Sequence, residues 1–137
     1  MMKTIALFLF LSFSISSYAT ETFGVEISND QGAQSFELNE KAAIRISHNF
    51  GFVPTNTLVT ARYYITNKVN YILYMTRFQS TNPFFQGISN CTEIYPGQRC
   101  ELTIRYWPQA QGQHFGNLFL ELNHQEQFIF NLSGIAQ

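Results

Sequence analysis

The sequence predicts an all-β fold, a two-sheet β-sandwich of about seven strands tied by one disulfide. Short runs rich in β-branched and aromatic residues recur roughly every ten residues between turn formers, as they do in sandwiches. Several of those runs alternate apolar and polar residues with a period of two, and no long helical period competes with them. Two cysteines, Cys91 and Cys100, flank a Pro96-Gly97 turn that can bring their sulfurs together.

The first element is a targeting signal. Met1-Met2-Lys3 gives a positive start, Ile5 to Ile15 an apolar run, and Ser17-Tyr18-Ala19 a small-x-small exit, so residues 1–19 are expected to be a signal peptide cut after Ala19. The apolar run is about a dozen residues, short of the roughly 20 needed to span a bilayer, and no later stretch is apolar enough. A secreted or periplasmic location without an integral membrane segment is therefore expected.

Removing 19 of 137 residues leaves 118, enough for one domain with its own core. Residues 20–42 read as an extended leader with one or two edge strands, and 43–137 as the sandwich. Within it, strands are expected at Ala43–Ser47, Thr57–Thr66, Tyr71–Phe78, Glu101–Trp107, Gly116–Leu122 and Gln127–Ser133. The intervals between them, among them Asn49–Asn56, have turn compositions. Cys100, Leu102, Ile104 and Tyr106 form one inward set, Leu118, Leu120 and Leu122 a second, and Phe128, Phe130 and Leu132 a third. Val59, Ala61, Tyr63 and Ile65 suggest a fourth inward face. Tyr71 to Met75 is apolar in both phases, so its orientation stays open.

In an exported chain the default state of Cys91 and Cys100 is a disulfide. Closing so short a loop contributes about 2 to 3 kcal/mol in the chain-entropy picture. No metal is expected, because His48, His114 and His124 have no ligand-type spacing to one another or to the cysteines.

With Lys3 removed the chain keeps 7 basic and 9 acidic side chains, a net charge of −2, and Arg45, Lys68, Arg77, Arg99 and Arg105 are scattered. Such a balance does not attract a polyanion, so no nucleic-acid partner is expected. Catalysis is not expected either. There is no Gly-x-Ser-x-Gly elbow, His114 and His124 read as solvated loop residues, and Glu121 and Glu126 fall on an outward phase and in a turn. Nor is a cofactor expected, since phosphate-cradling glycine runs are missing.

The order of marked residues carries a resemblance. Asn90-Cys91, Tyr95-Pro96-Gly97, Cys100 with its alternating strand, Tyr106-Trp107-Pro108, Gly112, Gly116-Asn117-Leu118 and Leu132-Ser133-Gly134 follow one another at spacings that resemble the choice-of-anchor D group of bacterial immunoglobulin-like domains, related to Hydin-type ASH domains. Upstream, Asn49-Phe50-Gly51-Phe52-Val53-Pro54 and Tyr64-Ile65-Thr66-Asn67 look like the opening and an early strand of that pattern. Lys68 departs from it where a glycine commonly follows the asparagine. The resemblance implies an immunoglobulin-like sandwich serving as a module in surface, periplasmic or cytoskeletal assemblies, with no catalysis attached to its motif.

The function expected is thus a non-enzymatic module that binds another protein, by an exposed sheet face or by strand addition at an unpaired edge. Trp107 and Arg105, outward in phase, and Tyr71 and Tyr74 are its candidate partner-binding residues. Against this, Trp107 is a residue type that commonly packs under a neighbouring loop. Two other functions fit the class: a carbohydrate-binding domain that stacks outward aromatics such as Trp107 on a glycan, and a chaperone-like subunit of a surface or secretion assembly.

Overall fold

The computed structural model describes residues 24–38 and 43–137. The expected signal peptide and its cut lie outside the described residues. The described residues form ten strands: β1 Val25–Asn29, β2 Gly32–Phe36, β3 Ile44–Val53, β4 Val59–Asn67, β5 Leu73–Ser80, β6 Phe85–Ser89, β7 Glu93–Ile94, β8 Arg99–Tyr106, β9 Gly112–Leu122 and β10 Gln125–Ala136. They form two five-stranded sheets, ordered β2-β1-β4-β8-β6 and β3-β10-β9-β5-β7, with only β3 and β10 parallel. The fold is the expected all-β sandwich.

All six runs read from the sequence are strands, and the inward sets fall where the period of two places them. Leu102, Ile104, Tyr106, Leu118, Leu120, Phe128 and Phe130 are fully buried. In the ambiguous Tyr71 to Met75 stretch, Leu73 turns inward while Tyr71 and Tyr74 stay exposed. Cys91 and Cys100 are disulfide-bonded, and Gln98 donates its amide to the Tyr95 carbonyl across the Pro96-Gly97 turn, where Gly97 has φ +82°. Positive φ costs a glycine little, so that residue closes the loop without strain.

The six expected runs are joined by the two leader strands β1 and β2, where one or two edge strands were expected, and by the unexpected β6 and β7, which makes ten in place of about seven. The leader forms a β1–β2 hairpin docked on β4. Asn49–Asn56 is not all loop, because β3 runs on to Val53 through Gly51, whose φ of +76° accompanies a register shift against Ser133 and Ile135. Phe85–Ser89 was not expected to be a strand at all. It forms β6, paired with β8, and the Phe78 ring of the opposite sheet fills the space a side chain at Gly87 would occupy.

That last contact is one of three alike. A Cβ on Gly87 would lie 2.8 Å from Phe78, one on Gly116 2.8 Å from Phe85, and one on Gly134 inside the contact distance of the Tyr106 ring. Gly116 and Gly134 sit on β9 and β10, and their aromatic partners come from β6 and β8 across the sandwich. Phe85 and Tyr106 also stack on each other, with centroids 4.6 Å apart and planes 12° from parallel, and Phe50 packs 5.3 Å from Tyr106.

At the far end, Asn67 ties three segments together. Its side-chain amide donates to the carbonyls of Tyr71 and Ile94 at 2.8 Å each, and its oxygen accepts the Val69 amide at 2.8 Å. Fully buried, it leaves no polar atom unpaired.

Gly134→Ala is expected to lower the unfolding free energy by about 1 to 3 kcal/mol, since the added methyl overpacks the seam. Combined with Tyr106→Leu, its cost should be less than additive in urea denaturation; strictly additive costs would show that ring and glycine do not share the contact.

Candidate functional site

The strands of the two sheets do not meet along their whole length. Between the β1–β2 hairpin and β4 on one side and β3 on the other lies an open groove of about 930 Å³. Its walls are Asn29, Asp30, Gln31 and Gly32 at the hairpin turn, Ile46 to Asn49 of β3, and Thr60 to Tyr64 of β4.

Local sequence explains this gap. Asn29 accepts the Gln31 amide through its side chain, and Gly32 at φ +149° reverses the chain, so β1 stops after five residues. β1 therefore pairs only with Tyr64–Asn67 of β4 and leaves Val59–Tyr63 beyond it uncovered. Ala61, one of the residues lining the gap on β4, contributes only a methyl group to it.

The floor of the groove is a hydrogen-bonded pair. The His48 Nδ1 and the Tyr63 hydroxyl are 2.8 Å apart, their rings meet edge to face at 5.7 Å, and Tyr63 also packs edge-on against Phe130 at 5.3 Å. Burial pushes the imidazole below its ordinary range. It pushes the Tyr63 phenol up, opposed by a hydrogen bond with Asn29. On the rim, Arg62 lies 3.8 Å from Glu101, and the Arg99 guanidinium stacks 3.8 Å from the centroid of Tyr64. Asp30 and Arg62 give the groove one charge of each sign.

None of the four residues singled out from the sequence lines this groove. Trp107 follows β8 at the end where β4 begins and is 47% exposed, its Nε1 donating to the Asn56 carbonyl at 3.4 Å. Arg105 shares its phase, between Thr60 on β4 and Gln86 on β6. Tyr71 and Tyr74 are exposed near the other end of β4, where Asn67 and Asn123 hold the backbone. Nine residues of β4 separate the two pairs, roughly 30 Å at strand rise, so they do not form one surface.

His114, expected in a solvated loop, instead lies within β9. Half-buried, it places Nδ1 2.7 Å from the Tyr106 hydroxyl and its ring edge-on to Phe84. His124 is in the β9–β10 turn with φ +64°. Glu121 pairs with Arg77 at 3.2 Å. Sequence reading missed both His48 and Tyr63; the inward phase of Tyr63 was the one available signal, and nothing local linked it to His48.

The sequence model of the HYDIN/CFA65/VesB-like, Ig-like domain family matches residues 42–134. The chain belongs to that family. The match bears out the resemblance carried by the cysteine, Pro-Gly and Leu-Ser-Gly residues, and the structure gives those marks a physical meaning. Gly134 closes the Leu-Ser-Gly motif because Tyr106 lies on it, Gly116 opens Gly-x-Leu because Phe85 does, and Asn67 ends Thr-Asn because its amide is a buried staple.

No curated protein matches the chain in sequence. Among solved structures, a protein of unknown function from Porphyromonas gingivalis W83 has a TM-score of 0.56 at 14% identity, over 84% of this chain and 48% of that one. The secreted serine protease VesC from Vibrio cholerae has a TM-score of 0.53 at 12% identity, over 87% of this chain and 24% of its own. The chain thus spans about half the length of the first and a quarter of the second. At these identities the likeness is one of fold: this Ig-like domain has the build of a domain found within a secreted protease.

The lowered His48 pKa makes a prediction for this HYDIN/CFA65/VesB-like domain. The unfolded chain takes up its imidazole proton near 6.5 and the folded one only at lower pH, so stability is full above about 6.5 and falls as pH drops below it. His48→Gln should flatten the melting temperature between about pH 7 and 5.5. An unchanged slope in the variant would place the linkage elsewhere.

Proposed function

We propose that the chain is a non-enzymatic Ig-like module of an exported protein system, and that it binds another protein at the groove between β3 and the β1–β2 hairpin. The observation that carries this reading is the groove's composition. A concave site of about 930 Å³ edged by strands, with carbonyl-rich turns, phenols and an amide but balanced charge, suits recognition of a neutral polar surface.

Chemistry is a poorer fit. The groove histidine is engaged at Nδ1 by a phenol, and among the described residues no serine hydroxyl or thiol shares a hydrogen bond with it. Both cysteines are consumed in the disulfide. That bond also supports an extracytoplasmic setting, because such links persist in oxidising compartments. The fold's occurrence in a secreted protease agrees with that setting and with an accessory role.

A photo-crosslinking amino acid placed at Gln34 or Ser47, on the two walls of the groove, should give a discrete protein adduct in the native compartment. The same probe at Tyr71, at the distant end, should not. Adducts from Tyr71 alone, or none from either wall, would remove the groove as the binding surface.

A further inference from the structure

We infer that the uncovered edge of β4, at Thr60 and Arg62, accepts an extended segment of a partner polypeptide as an added strand. This deepens the reading of the chain as a protein-binding module, on which it rests, by naming the ligand's chemistry and the groups that hold it.

The direction of the backbone groups along β4 is fixed by bonds at its end. Asn67 donates its amide to Gln98, on the β8 side, whereas Lys68 donates to Gly24, on the β1 side. Successive residues of a strand point their amides and carbonyls to opposite sides, so Ala61, Tyr63 and Ile65 face β8, and Thr60, Arg62 and Tyr64 face β1. Tyr64 is matched by Ser28, the last residue of β1 that pairs with β4. Arg62 and Thr60 come next, and among the described residues no strand covers them on that side.

Two amides and two carbonyls therefore stand in a row at the mouth of the groove, with a repeat of roughly 7 Å. An extended peptide is the ligand that matches this row. Its own amides and carbonyls alternate with the same repeat, while a sugar or a small organic molecule does not reproduce it. The space beside the edge is large enough, since about 930 Å³ is at the upper end of pockets that enclose small ligands and this one is open along its length.

The walls define the segment further. An added strand turns every second side chain inward, over Ala61 and Ile46 at one position and toward the His48–Tyr63 pair at the next. The segment that fits alternates a compact apolar residue with one that can hydrogen-bond. Asp30 and Arg62 on the rim offset each other, so it carries no strong net charge. β1 would be continued in line by a second chain, and sheet completion would add main-chain hydrogen bonds that specify no sequence, while the floor selects among sequences.

The test uses a random peptide library selected against the whole mature chain. Selected peptides should bind Arg62→Ala within about threefold of the parent and lose at least about tenfold on Arg62→Pro, one hydrogen bond and its steric room being removed. Proline is suited to this site because the Arg62 amide has no neighbour to lose, so the fold should survive. Should Arg62→Pro unfold, the peptide supplies the answer. Resynthesised with N-methyl groups on every second amide, one phase should abolish binding to the parent chain and the other should keep it. Failure to select any peptide, binding indifferent to Arg62→Pro, or equal tolerance of both N-methyl phases would overturn the inference. A protein adduct at Gln34 that persists in Arg62→Pro would keep the binding module and discard strand addition; no adduct at either wall together with no selected peptide would discard both.

Discussion

The Tyr106 ring lying on the bare backbone of Gly134 is the contact on which the rest of this sandwich depends. With Phe85 on Gly116 and Phe78 on Gly87, it lets rings from each sheet reach the main chain of the other, so the layers lock in one relative position. Dispersion rewards such close approach and overpacking punishes any shift, which is why a methyl group there matters. The glycine partners lie on β6, β9 and β10, so the tight seam belongs to one side of the molecule.

The other side is built differently, and the groove follows from that. Where β4 faces β3, the inward residues are Ala61, Tyr63 and His48, and the gap is spanned by a hydrogen bond in place of interlocked rings. The hairpin turn at Asn29–Gly32 ends β1 before it covers β4. The same fold thus holds a closed seam and an open flank. At one end the flank is kept in register by Asn67 and by the disulfide nearby, which clamp the backbone without filling the groove. Rigid support beneath an unpaired edge would pre-organise the proposed binding site, because little ordering would remain to be done on binding.

Much of the fold was legible in the sequence for a simple reason: alternation is local. Leu102, Ile104 and Tyr106, or Phe128, Phe130 and Leu132, declare their facing by a period of two, and Pro96-Gly97 declares its turn. Glycines misled where their cause was distant. Gly87 lies in a stretch assigned to no strand, and its packing partner Phe78 is nine residues away and in the other sheet, while Gly51 reads as a loop although a bulge carries β3 through it. The candidate site was not legible. Phase and exposure pointed to Trp107, Arg105, Tyr71 and Tyr74, but those residues lie at opposite ends of β4, whereas His48 and Tyr63 are brought together only by the stacking of two sheets. An uncovered stretch of strand is a property of pairing registers, which no local pattern encodes.

The central claim, that β4 leaves its Thr60 and Arg62 backbone groups unpaired, is tested most directly by residue-resolved amide hydrogen exchange on the isolated chain. The account predicts a sawtooth along β4: fast exchange at Thr60 and Arg62, slow exchange at Ala61 and Tyr63, whose amides face β8. Uniform protection from Val59 to Tyr63 would contradict it, since it would mean that the edge is already paired.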